Sequence, residues 1–218
     1  MKKTIAAAVV LLLACSKGSA PRPHASSESP TLATRTLARL APEFARGLSE
    51  AAVERTHHFV VYNGAYISLD YPGGDPPPRI GVCTDVVIRS YRTLDIDLQR
   101  EVHEDMKQFF DLYPRKWGLK STDTNIDHRR VLNLEVFFSR KGVLIPVTAD
   151  SADYLPGDIV SWRLDSGLPH IGVVVDRHST DGRRPLVVHN IGWGPKLEDF
   201  LFSAKIVGHY RYGALEKR

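Results

Sequence analysis

Leu168-Pro169-His170-Ile171-Gly172-Val173-Val174-Val175 is the most apolar strand-like run in the chain, and an imidazole stands at its start. Leu186-Val187-Val188-His189-Asn190 follows ten residues further on with the same β-branched character and a second histidine. Pairing of the two runs as an antiparallel hairpin through Asp176 to Pro185 would bring both rings to one face. Around them, residues 143–147, 158–164 and 205–212 read as further short strands separated by Gly, Pro and Asp.

Upstream of residue 143 the periodicity is helical. Cys83, Val86, Val87, Ser90, Tyr91 and Leu94 share one face of a helix over 82–94, and 98–112 and 131–141 read as two more. Leu37, Leu40, Ala41, Phe44 and Leu48 keep helical spacing through Pro42, and 48–57 reads as one short helix. The segment 70–78, Asp-Tyr-Pro-Gly-Gly-Asp-Pro-Pro-Pro, is a long turn. Helices first and an antiparallel sheet second predict an α+β fold.

Composition narrows the function classes. The 218 residues are 43% apolar and 25% charged, as in an ordinary globular chain. The formal charge of +4 includes Lys2 and Lys3 of a secretion-type start; without them 27 Lys and Arg against 25 Asp and Glu leave +2, which gives no reason to expect nucleic acid as a partner. The apolar run from Ile5 to Ala14 is ten residues long, whereas a permanent transmembrane helix needs about 20. Leu12-Leu13-Ala14-Cys15 resembles the bacterial lipobox, which implies acylation of Cys15 and anchoring by lipid. A plain signal peptide cut after Ala20 is the competing reading. The expected organisation is a lipoprotein-type signal over 1–15, a flexible tether over 16–31 rich in Ser, Ala and Pro, and one domain over 32–213. Ser16 after the cysteine is similar to the outer-membrane case, so the expected location is the periplasmic side of a membrane, outer membrane if the source is Gram-negative.

With Cys15 lipidated, Cys83 is the only thiol left. It opens a helix, where unpaired N–H groups and the positive end of the dipole favour a thiolate, so it is the candidate nucleophile. The bland reading is a small buried side chain. A nucleophile needs a base and the base an orienting group, for which His170 and His189 are candidates, with Asn190 as an alternative third group.

The order of these residues resembles the NlpC-type cell-wall cysteine peptidases: a cysteine opening a helix, then Leu155-Pro156-Gly157-Asp158-Ile159-Val160-Ser161-Trp162, then His170-Ile171-Gly172-Val173-Val174 and Val188-His189. Gly81-Val82-Cys83-Thr84-Asp85-Val86-Val87-Ile88-Arg89 and Asn125-Ile126-Asp127-His128-Arg129-Arg130-Val131 resemble a bacterial family known as domain of unknown function 1287, over about residues 51–212. The resemblance implies a papain-like fold with helices packed on an antiparallel sheet. It also implies Cys83 as nucleophile, His170 as base, His189 as orienting group, and the Cys83 N–H as an oxyanion donor. The cell-wall enzymes have Asp-Cys-Ser-Gly where this chain has Val82-Cys83-Thr84-Asp85.

Candidate substrate contacts are Tyr71, the upstream tyrosine the resemblance implies, Asp85, and the cluster Asp127, His128 and Arg129. Asp85 with Arg89 also fits an i,i+4 ion pair, and the basic cluster a solvated loop. No ligand spacing for a metal appears, and neither metal nor cofactor is expected. The expected function is an exported thiol hydrolase cleaving an amide bond in the peptide part of peptidoglycan. An acyltransferase with the same thioester chemistry, a non-catalytic wall-binding lipoprotein, and a zinc site of Cys83, His170 and His189 are the alternatives.

Overall fold

The computed structural model describes residues 38–216; the expected signal, Cys15 and the tether lie outside the described residues. Helix α1, Pro42–Arg55, is a single helix where two were expected, because Pro42 occupies its first position. Proline lacks an N–H that would be unpaired there anyway, and its fixed φ suits a helix start. Strands β1, Val61–Tyr62, and β2, Ile80–Gly81, form a short parallel pair leading into α2, Cys83–Arg92. Helix α3, Leu98–Gln108, is capped by Asp97, whose side chain accepts the Gln99 N–H. It stops short of the expected end and continues as a 3-10 turn over Phe110–Leu112. Helix α4, Val131–Lys141, has the expected span.

The sheet comprises β3 (Val143–Leu144), β4 (Ile159–Arg163), β5 (Pro169–His178), β6 (Pro185–His189), β7 (Lys196–Glu198) and β8 (Lys205–Arg211), ordered β3-β8-β4-β5-β6-β7. Every pairing in it is antiparallel, and the fold is α+β. Val86, Val87 and Tyr91 of α2 and Leu134, Phe137 and Phe138 of α4 join Ile171, Val173 and Val188 in one core. On the opposite side of the sheet Trp162, Val174 and Val187 pack with Tyr154 and Leu201. Burial on both faces explains why β5 reads as a continuous apolar run instead of an alternation.

The Pro156-Gly157-Asp158 turn is a structural hub. Gly157 has φ of +86°, which only glycine adopts without strain. Asp158 is fully buried; it accepts the Leu155 N–H at 2.9 Å, the His209 Nε2 proton at 2.6 Å and the Arg211 Nε proton at 2.7 Å. One carboxylate thereby ties the entry of β4 to the end of β8.

Candidate active site

The nucleophile position is built by the start of α2. Val82, its N-cap, donates its N–H to Asp85 Oδ2 at 2.7 Å, half of a capping box, and Cys83 follows as the first helical residue. Asp85 is in turn gripped by Arg129, with Nε to Oδ1 and Nη2 to Oδ2 both 3.0 Å and both side chains buried. The expected Asp85–Arg89 pair does not form. Arg89 turns instead to the 70–78 segment, donating to Asp75 Oδ2 at 2.9 Å and to the Pro76 and Ile80 carbonyls.

The Asp127–Arg129 turn is buried, not a solvated loop. Asp127 accepts the Asp123 N–H at 2.6 Å and faces His103 Nδ1 at 3.4 Å, and Asn125 Oδ1 accepts the Leu69 N–H at 2.7 Å. These bonds fasten the long 63–79 segment to the 123–129 turn, and that turn to α3. His128 is 1% exposed, and burial together with the adjacent Arg129 pushes its imidazole down to about 3.

The two histidines meet through sheet register. Gly172 lies opposite His189, so His170, two residues earlier on β5, is its diagonal neighbour on the same face. A Cβ on Gly172 would stand 3.0 Å from the His189 Cβ and 2.9 Å from the Val188 carbonyl oxygen, so glycine here makes room for the second ring. His170 Nε2 and His189 Nδ1 are 2.8 Å apart, and His189 Nε2 lies 2.9 Å from Glu198 Oε2. An ionised carboxylate only accepts, so Glu198 draws the His189 proton to Nε2 and leaves Nδ1 as an acceptor. His170 must then donate from Nε2, which leaves its Nδ1 unprotonated, with a free lone pair. Asn190, the alternative third group, instead accepts the Gly192 N–H at 3.1 Å through its side chain.

Glu198 escaped the sequence reading. Its strand β7 is three residues long, and it reaches His189 only because β7 pairs with β6. Tyr62 was missed too; it lines the groove with Cys83, near enough for the two groups to shift each other's pKa, whereas Tyr71 does not line that groove. Tyr71 bonds Glu104 Oε1 at 2.7 Å and lies edge-on to His103. The sequence hint was a tyrosine near a Gly-Gly pair, which Tyr71 before Gly73-Gly74 satisfies and Tyr62 before Asn63-Gly64 does not.

Cys83 is 4% exposed, and burial, reinforced by the Asp85 charge, pushes its thiol up to about 11 from 9.0. The N–H groups of Ile171 and Thr84 and the Tyr62 hydroxyl pull the other way without prevailing. Burial and the neighbouring His189 push His170 down to about 3. Burial therefore opposes the helix terminus at Cys83, and desolvation favours the neutral form of both the thiol and the His170 imidazole. Both line one groove of 520 Å³, with Tyr62, Trp117, Arg130 and Leu168. Among the described residues no three of His, Cys, Asp and Glu are grouped as around a metal ion, and His189 has both ring nitrogens engaged.

A buried thiol at a helix start, sharing a groove with a carboxylate-anchored histidine pair, is the class of site the fold presents. The family model described as domain of unknown function DUF1287 matches residues 49–212, and the chain belongs to that family. The uncharacterized protein YijF of Escherichia coli (strain K12) is 54% identical over 165 residues, covering 76% of this chain and 80% of that protein. Among solved structures, the chain is similar to NlpC1 from Trichomonas vaginalis, with a TM-score of 0.44 and 18% identity over 82% of this chain and 48% of that one. A lipoprotein-like NLP/P60 family protein from Staphylococcus aureus gives 0.41 and 11% over 85% and 44%. The chain spans about half the length, or less, of each of these two structures.

Proposed function

We propose that this chain is an exported, lipid-anchored thiol hydrolase of papain-like type that cleaves an amide bond in the peptide part of peptidoglycan. The observation that carries the reading is the relay Glu198–His189–His170, which leaves a nitrogen with a free lone pair in the groove that holds Cys83. In this reading His170 Nδ1 takes the thiol proton as the sulfur attacks the amide carbon. The C–N bond breaks as the imidazolium returns that proton to the leaving amine, and a thioester remains. Water then gives a proton to His170 and attacks the thioester carbon, the acid leaves, and the sulfur recovers its proton. In this reading the Cys83 N–H and the Tyr62 hydroxyl receive the developing oxyanion. Export and anchoring rest on the basic start, the short apolar run and Cys15.

The test is incubation of the chain from Ser16 onward, beside Cys83→Ala, with purified peptidoglycan and mass analysis of released fragments. Fragments formed only with Cys83 present support the hydrolase, and their masses name the bond; identical digests from both proteins refute it. One observation favours a second reading, a non-catalytic wall-binding protein: the near-complete burial of Cys83 and the raised pKa of its thiol. That reading requires Cys83→Ala to bind peptidoglycan and function unchanged.

A further inference from the structure

Arg130 stands in an electrostatically unfavourable place. It is the N-cap residue of α4, where the helix dipole repels a cation. The carboxylate ion pairs of the described residues engage eight arginines, and Arg130 is not among them. Two carboxylates act on it from further away without pairing with it: Asp127, whose Oδ2 accepts the Asp123 N–H and whose Oδ1 is buried without a partner, and Asp123, engaged by Tyr66 and the Asn125 N–H. Its Nη1 is buried without a hydrogen-bond partner. A partly buried charge with an unmet donor costs stability unless something answers it.

The guanidinium is nevertheless held in place. Its carbon lies 4.1 Å from the centre of the Trp117 ring, a cation–π stack. Trp117 itself is 53% exposed and adopts φ of +65°, a strained conformation for a bulky residue. Strain, an exposed indole and an unanswered arginine coincide on the wall of the groove that contains Cys83 and His170. Val131 and Leu132, whose N–H groups belong to the unbonded first turn of α4, line the same groove. The same groove is also lined by the apolar side chains of Leu164, Leu168 and Ile191.

We propose that Arg130, stacked on Trp117, is the anion receptor of this groove and selects substrates that carry a free carboxylate beside the amide to be cut. The inference rests on the hydrolase reading for its substrate but not for its binding chemistry. A guanidinium fork offers a carboxylate two parallel N–H bonds, and an amide in its place loses the charge and one acceptor.

Synthetic peptidoglycan stem peptides, with carboxyl groups free or amidated, are the probes. Wild-type kcat/KM is expected to favour the free form about tenfold or more, the loss of one charge-assisted bond. Arg130→Gln should abolish that preference through KM with kcat little changed, and Arg130→Lys should recover part of it. Calorimetric titration of Cys83→Ala with the same peptides reads binding without turnover. If no peptide is cleaved but this protein binds the free form about tenfold more tightly, with the difference lost on adding Arg130→Gln, the hydrolase reading falls and the receptor stands. If both forms are cleaved or bound equally, or neither binds, the receptor is overturned whatever the fate of the hydrolase.

Discussion

Cys83 shows how burial opposes an inference drawn from local electrostatics. A helix terminus contributes roughly half a charge, whereas removing a thiolate from water costs several times more when the residue is buried. With the thiol pushed up to about 11 and His170 down to about 3, the reactive species at neutral pH is a minor thiolate population. Alkylation of Cys83 by iodoacetamide should therefore rise about tenfold per pH unit from pH 6 to pH 10, the slope expected of a thiol below its pKa. A flat rate between pH 4 and 7 would instead reveal a thiolate–imidazolium pair and refute the neutral resting state. At this scale the sequence marks Cys83, His170 and His189, because chemically active side chains stand out in apolar runs. Glu198 and Tyr62 carry no such mark: Glu198 joins the site only because β7 folds back on β6, nine residues from His189, and Tyr62 only because it lines the groove with Cys83.

The start of α2 is an element-scale device. Its N-cap bond comes from Asp85, and Asp85 is oriented by Arg129, 44 residues away. Asp85→Asn would leave the Arg129 guanidinium buried without its counter-charge, and is expected to cost about 3–5 kcal/mol in urea unfolding. A loss below about 1 kcal/mol would mean the pair behaves as a surface salt bridge. Because the Asp85 charge also raises the thiol pKa, the folded variant should alkylate faster at pH 8 than wild type. The spans of α2, α4 and β4–β6 are legible from periodicity and β-branched runs. Strand β7, three residues with one apolar side chain, is not, since so short a segment holds its shape only against β6.

Among the described residues three buried imidazoles, His128, His170 and His189, are pushed toward the neutral form. Their folded pKa values lie below the ordinary 6.5, so below that pH the unfolded chain binds more protons than the folded one. Stability is then fully present above pH 6.5 and declines as pH falls, by about 1.4 kcal/mol per pH unit for each histidine, until the folded values, about 4 for His189 and about 3 for the other two, are reached. Asp127, raised by burial, works in the opposite sense with a single group. Urea midpoints measured from pH 7 down to pH 4 should fall steadily; a constant midpoint would show that these rings are solvated. What the sequence determined by itself is local: the helical and strand periods, the apolar face of α2, the isolated thiol and the two strand histidines, because these depend on neighbours a few residues away. The protonation state of Cys83, the choice of Tyr62 over Tyr71, the Glu198 relay and the unanswered charge of Arg130 were decided only by tertiary structure, because desolvation and pairing depend on which distant groups arrive beside each residue.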